Sequence, residues 1–277
     1  VTRLGRVGVA VGGTVTGEEV REVERLGYGT LWVAGSPAAE LAFAEPILAH
    51  TTTLQLATGI VNVWTASAKD VAESFHRIEA AYPGRFLLGI GVGHPEHTTE
   101  YRKPYDALVD YLDELDAAGV PAHRRVLAAL GPRMLELAAR RSAGAHPALT
   151  TPEHTALARK TLGSEALLAP SQLVAINPDP DASRTIGRQM IGNYLGTVNY
   201  ASSWRRLGFT DDDLAPPGSD RLIDALLAHG TAEAVAKRVN EHLGAGADHV
   251  AVLSPDPAKL MSTLAELAGP LGLSAGE

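Results

Sequence analysis

Short apolar runs alternate with amphipathic stretches along nearly the whole chain. The runs at 6–11, 31–34, 54–60, 86–92, 125–130, 146–150, part of 167–176 and 249–253 are continuous rather than alternating. Continuous runs are expected of strands covered on both faces. The stretches between them repeat at helical spacing. Val71, Phe75, Ile78 and Tyr82 share one stripe, and Leu108, Leu112 and Leu115 form another that stops at Gly119. Val235, Val239 and Leu243 form a third ahead of Gly244. Thr16 and Glu19 make a capping box, and Gly27 ends that helix. Ala148 and Leu149 read as the end of a strand, followed by a polar turn at Thr150 and Thr151. A helix then starts at once, with Thr151 as N-cap, Pro152 in the first position, Glu153 complementing the positive helix end and Gly163 as the stop.

Eight strands, each followed by a helix, predict a (β/α)8 barrel. An open doubly wound sheet is the runner-up, disfavoured by the lack of a switch point in the strand pattern. Residues 196–220, with Asp211, Asp212, Asp213, Pro216 and Pro217, read as a helical excursion plus loop. No composition break, repeat or low-complexity tract divides the chain, so 1–277 is expected to be one domain.

Composition narrows the function. Hydrophobic residues make up 45% of the 277, enough for a large core. Lys and Arg total 24 against 32 Asp and Glu, a formal charge of -8. That balance argues against a nucleic-acid partner but leaves room for a basic pocket holding one phosphate. With no Cys there is no disulfide framework, thiolate metal site or Cys nucleophile. No apolar run reaches the roughly 18 residues needed to span a bilayer, and no signal pattern opens the chain. The expectation is a cytoplasmic protein that acts on a small molecule, without a membrane partner.

In a (β/α)8 barrel the chemistry sits at the C-terminal ends of the strands. That rule selects Gly35 and Ser36, Asn62 and Trp64, Gly93, His94 and His97, Gly131, Pro132 and Arg133, and Thr150, Thr151 and His154. Gly89, Gly91 and Gly93 alternate on one strand face, which lets either a flat ring or a neighbouring backbone come close. Their spacing is not a dinucleotide-binding fingerprint. His94 and His97 have no further ligands at the other strand ends, so no metal site is expected. His94 suits proton transfer, because an unperturbed imidazole titrates near neutrality; the bland alternative is a solvated loop histidine. His146 reads as a hydrogen-bonded core residue or a catalyst, His154 as facing a phosphate or solvent, and Trp64 as a pocket wall or a cover. Arg133 opposes the helix dipole at a helix start, which suits an anion but needs none.

Several segments carry a resemblance. Residues 25–32 (RLGYGTLW), 57–62 (ATGIVN), 83–93 (PGRFLLGIGVG), 101–105 (YRKPY), 128–132 (AALGP), 143–163 and 244–250 (GAGADHV) are distributed in order along nearly the whole chain. Together they resemble the luciferase-like family, in its deazaflavin (coenzyme F420)-dependent oxidoreductase branch. The resemblance implies a (β/α)8 barrel that binds a flavin-like ring at its mouth and exchanges a hydride with an organic substrate, the protein supplying orientation and a proton relay. It implies cofactor contacts at Gly59 and Ile60, where relatives have a strand bulge and often a non-prolyl cis peptide, and at Asn62. Further contacts fall on Gly91, Gly93, Ala129, Gly131, Pro132 and Arg133, and on Gly144, Ala145 and His146. Relatives often dimerise, so a homodimer is one option. Many end the second strand with a catalytic histidine; here that stretch is Val33, Ala34, Gly35 and Ser36, and His94 is the candidate replacement. FMN in place of F420, giving a monooxygenase, is the alternative cofactor reading. A flavin- or deazaflavin-binding protein with little turnover is the third reading.

Overall fold

The computed structural model describes residues 4–93 and 103–274. Its strands are β1 (Val7–Val11), β2 (Thr30–Ala34), β3 (Gln55–Gly59), β4 (Val61–Asn62), β5 (Phe86–Gly91), β6 (Arg125–Leu127), β7 (Gly144–Ala145), β8 (Leu167–Leu168), β9 (Ser171–Ile176), β10 (Leu227–Gly230) and β11 (Val250–Leu253). The helices are α1 (Gly17–Arg25), α2 (Ala44–Ala49), α3 (Ala68–Ala81), α4 (Pro104–Ala117), α5 (Pro132–Arg141), α6 (Pro152–Leu162), α7 (Pro180–Ile191), α8 (Val198–Arg206), α9 (Asp211–Leu214), α10 (Asp220–Leu226), α11 (Ala232–Gly244) and α12 (Leu260–Ala268).

Every ladder between these strands is parallel, in the order β10-β9-β11-β1-β2-β3-β5-β6-β7-β8 with β4 beside β5. The run 167–176 joins the two ends. On one side Leu167 and Leu168 pair with Gly144 and Ala145. On the other, Ser171 and Leu173 pair with Ala251 and Leu253. The Ser171 N–H donates to the Pro147 carbonyl at 2.8 Å and the Asp248 N–H to the Leu168 carbonyl at 2.9 Å, so both seams continue through the join. The sheet thus closes into the expected (β/α)8 barrel, with β10 as an added strand beside β9.

The continuous apolar runs follow from this closure. Leu31 and Val33 pack outward against the helices, while Trp32 points inward with Ala10, Ala57, Leu87, Val126, Ala169 and Ala251. Successive residues serve opposite faces, and both faces are dry. Each fully buried Leu or Val contributes roughly 1.5–3 kcal/mol. Small residues dominate the inner set, so one large ring, Trp32, fills the barrel centre.

Helix ends match the chemistry of their residues. Thr16 caps α1 with a full capping box. Thr151 caps α6 by accepting from the His154 N–H, Pro152 follows, and Gly163 ends the helix at φ 79°. One buried polar chain crosses from sheet to helix: the Thr155 hydroxyl donates to His242 Nδ1 at 2.7 Å, and His242 Nε2 donates to Gln172 Oε1 at 2.8 Å. Burial pushes His242 down to about 3, so it stays neutral.

Three expectations are corrected. The sixth expected strand, 146–150, is instead β7 at Gly144–Ala145. Pro147 has no N–H to continue a ladder, and Leu149 turns away at φ 52°. The third helical stripe runs through Gly244, and the chain turns at Gly246, φ 104°. The excursion is larger than 196–220: α7 to α10 surround a second core of Leu149, Ile191, Tyr200, Trp204, Phe209 and Leu226. Trp204 ties this subcore to the barrel by donating its indole N–H to the Leu149 carbonyl at 3.0 Å.

Candidate active site

A cavity of about 880 Å³ opens at the C-terminal ends of the strands. Its floor is the barrel centre, with Ala10, Trp32, Gly59, His146 and Ser171. One wall comes from the excursion, with Met190, Tyr194, Val198 and Tyr200. Among the described lining residues there is no carboxylate, and the one guanidinium is Arg206. Arg206 has no ion pair among the described residues. Among the described residues, a negative chain therefore lines this cavity with one positive point and no negative one.

His146 is the best-defined polar group on the floor. Its ring stacks on Trp32, with centroids 4.0 Å apart and planes at 6°. Its Nδ1 donates to the Ala169 carbonyl at 2.6 Å. Burial pushes its pKa down to about 4, against a smaller upward pull from that carbonyl, so the ring is neutral at ordinary pH. Trp32 in turn donates its indole N–H to His249 Nε2 at 2.9 Å, and His249 Nδ1 donates to the Gly5 carbonyl at 2.9 Å. Burial holds His249 near 4 as well, in the neutral tautomer that these bonds require.

The expected cofactor contacts divide. Gly59, Ile60, Gly93, Ala129, Gly131 and His146 line the cavity, and the Gly59–Ile60 peptide is cis, as the resemblance implied. Asn62, Gly91, Pro132, Arg133, Gly144 and Ala145 do not line it. Asn62 accepts the Trp64 N–H on Oδ1 at 3.0 Å, and its amide fills the space beside Gly93. Pro132 occupies the first turn of α5.

A Cβ on Gly91 would meet Ala128 Cβ at 2.9 Å and Ile60 at 3.0 Å; one on Gly89 would meet the Thr58 carbonyl at 1.8 Å. Of the two readings of this glycine face, tight packing holds at both positions, and Gly93 alone faces the cavity. Gly144 and Ala145 are buried in the ladder. The Arg133 guanidinium lies over the Tyr105 ring at 4.6 Å, a cation–π contact that occupies it without an anion.

Two other candidates, Trp64 and His154, make structural contacts. Trp64 donates its indole N–H to the Val92 carbonyl at 2.7 Å and covers the end of β5. His154 is buried and donates Nε2 to the Leu130 carbonyl at 2.9 Å; burial lowers its pKa. His94 and His97 lie outside the described residues. No group of three or more metal-ligating side chains occurs among the described residues. No described helix is long and apolar enough to cross a membrane.

Sequence reasoning missed Arg206, Tyr194 and Tyr200. They lie on or beside helices of the excursion, far along the chain from every strand end. The only signal was the aromatic density of 194–204.

Comparison with known proteins now fits this geometry. Residues 13–119 match the family model described as luciferase-like monooxygenase. Over that stretch the chain is similar to the luciferase-like domain. No curated protein matches this chain closely enough to add a relative. Among solved structures it is similar to an F420-dependent secondary alcohol dehydrogenase in complex with an F420-acetone adduct, at TM-score 0.77 and 14% identity, covering 98% of this chain and 99% of that one. It is also similar to the coenzyme F420-dependent tetrahydromethanopterin reductase of Methanopyrus kandleri, at TM-score 0.68 and 13% identity over 96% and 98% of the two chains. A third is the FMN-bound oxygenating constituent of 3,6-diketocamphane monooxygenase from Pseudomonas putida, at 0.67 and 13% over 98% and 100%. At these identities the likeness is one of fold.

Proposed function

We propose that this protein is an oxidoreductase that exchanges a hydride between the deazaflavin coenzyme F420 and a small organic substrate at the barrel mouth. The observation that carries the reading is the cavity itself, in a luciferase-like barrel, with an uncharged floor and, among the described residues, one unpaired guanidinium on its wall. A volume near 880 Å³ lies in the upper part of the range of about 300–1,000 Å³ usual for small-molecule and cofactor sites.

The residues fit such a group. A Cβ added to Gly35 would have no neighbour within 4 Å, and one added to Gly131 would have only Arg206, at 3.7 Å. Both glycines therefore leave backbone open to a bound molecule. Gly131 gives α5 no side-chain cap, and with Arg206 it suits the phosphate of the cofactor. Gly59, Ile60, Gly93 and Ala129 supply apolar, low-profile surface for a planar ring. When bound, the deazaflavin supplies two-electron hydride chemistry. The chain supplies orientation, a dry floor and a neutral imidazole at His146.

FMN is the second reading, favoured by the similarity to an FMN-bound monooxygenase. Calorimetric titration of the protein with F420 and with FMN separates the two. F420 is expected to bind at least tenfold more tightly. Tighter binding of FMN overturns the assignment, and failure of both to bind overturns the cofactor reading altogether.

A further inference from the structure

The hydrogen bonds around His146 leave one atom with a defined chemical role. A ring nitrogen that faces a carbonyl must carry the proton, so the bond from Nδ1 to Ala169 leaves Nε2 as a bare lone pair. The tautomer cannot switch without losing that bond. Turning the ring over keeps its plane on Trp32 but takes Nδ1 away from the Ala169 carbonyl, so the same bond also holds the orientation. Trp32 is itself immobile: it is fully buried and tied to His249, which is tied to Gly5.

Nε2 has no partner among the described residues, and it is not among the polar atoms sealed from solvent. A Cβ on Gly59 would sit 3.1 Å from it, so the glycine keeps this atom open to the cavity. The hydroxyls of Ser36, Ser171 and Ser202 on the same cavity can donate or accept. His146 Nε2 differs from them in that it can only accept.

The cavity's charges restrict what such an acceptor can hold. An ammonium ligand finds no carboxylate on the described lining and meets Arg206. A carboxylate or a ketone oxygen turns a lone pair toward a lone pair. A neutral O–H donor on an otherwise apolar body satisfies the acceptor and suits walls of Leu173, Met190, Val198 and Leu253.

We propose that His146 Nε2 accepts a hydrogen bond from the hydroxyl of an uncharged alcohol substrate, so that the site selects the alcohol over the matching ketone. The assignment rests on the cavity being the substrate site of the proposed oxidoreductase.

The test uses the whole protein labelled with 15N-histidine and followed by long-range imidazole NMR, with cyclohexanol, cyclohexanone and cyclohexyl methyl ether as probes. The His146 signals are those lost in His146→Phe, which keeps a flat ring on Trp32. At pH 7 the Nδ1–H tautomer is expected, with the Nε2 resonance moving on addition of cyclohexanol and not with the ketone or the ether. His146→Phe is expected to lose at least tenfold in cyclohexanol affinity and to leave cyclohexanone unchanged, while His146→Gln, which keeps an acceptor, recovers part of the loss. An Nε2–H tautomer, or equal shifts from alcohol and ether, overturns the proposal. So does a shift caused by F420 or FMN but not by the alcohol, which gives the acceptor to a ring N–H of the cofactor. The wild-type measurements stand even if a variant misfolds. They need no cofactor, so their failure is distinct from failure of the F420 and FMN titrations.

Discussion

The imidazole of His146 lies flat on the indole of Trp32, with ring centroids 4.0 Å apart and planes at 6°. One residue belongs to β2 and the other directly follows β7, so the stack spans the barrel and fills its centre just below the cavity. Offset or parallel aromatic contacts are worth roughly 0.5–1.5 kcal/mol beyond the area they bury. The larger consequence is positional, because the stack fixes the plane of the His146 ring and the Ala169 carbonyl fixes which nitrogen faces the cavity.

Trp32→Phe is expected to destabilise the protein by about 2–4 kcal/mol. It removes buried volume and leaves His249 Nε2 without its indole donor. Guanidinium denaturation at pH 7 measures the loss. A change below about 0.5 kcal/mol would show that the barrel centre repacks freely and does not lock His146.

Stability should fall with acid earlier than carboxylate titration alone would cause. His146 and His249 are held near 4 and His242 near 3, each below the ordinary 6.5. The unfolded chain therefore binds more protons than the folded one between those values. The contribution is fully present above about pH 6.5, declines as pH falls, and is gone once pH passes through 4 and then 3. With all three groups in their window the slope can approach about 4 kcal/mol per pH unit. Urea midpoints measured from pH 7.5 to 4.5 should show this decline, and His146→Phe should flatten it. A midpoint unchanged down to pH 5 contradicts the burial of these rings.

Two glycines that the family resemblance placed together should behave oppositely. At Gly144, φ is 153° and a Cβ would lie 1.9 Å from the Leu167 carbonyl, inside the ladder. Gly144→Ala is expected to cost several kcal/mol, on the order of 3 or more, and to lower the yield of folded protein. At Gly131 the nearest atom is the end of the Arg206 side chain at 3.7 Å. Gly131→Ala should leave the thermal midpoint within about 2 °C of wild type and weaken cofactor binding instead. The same loss of stability in both variants would remove the distinction.

Arg206→Gln should weaken binding of a phosphate-bearing cofactor by about tenfold or more, the worth of one charge-assisted hydrogen bond. Arg133→Gln should change it by less than about twofold, since that guanidinium already lies over Tyr105. Titration of both variants with F420 at two salt concentrations checks this, and the Arg206 effect should shrink at high salt. The reverse ranking would return the anion to the start of α5 at Arg133.

The periodicity of the chain was enough to determine the barrel. Continuous apolar runs at regular intervals need cover on both faces, and capping residues such as Thr16 and Thr151 mark where the covering helices begin. These signals are local, set by neighbours within one turn or one strand. The cis peptide at Gly59–Ile60 was also legible, through the resemblance of residues 57–62. The roles of single polar residues were not legible, because they depend on distant partners. Gly91 is occupied by Ala128 and Ile60, and Arg133 by Tyr105, so neither reaches the cavity. Arg206 arrives there on a helix folded over the mouth by the subcore around Trp204. His146 could be read equally as a core residue or a catalyst, and it proved to be buried and open at once. Only the closed barrel sets its Nδ1 against Ala169 and its face against Trp32, leaving Nε2 toward the cavity. A side chain's proton and its exposed edge are fixed by contacts across the fold, and those contacts have no period along the chain.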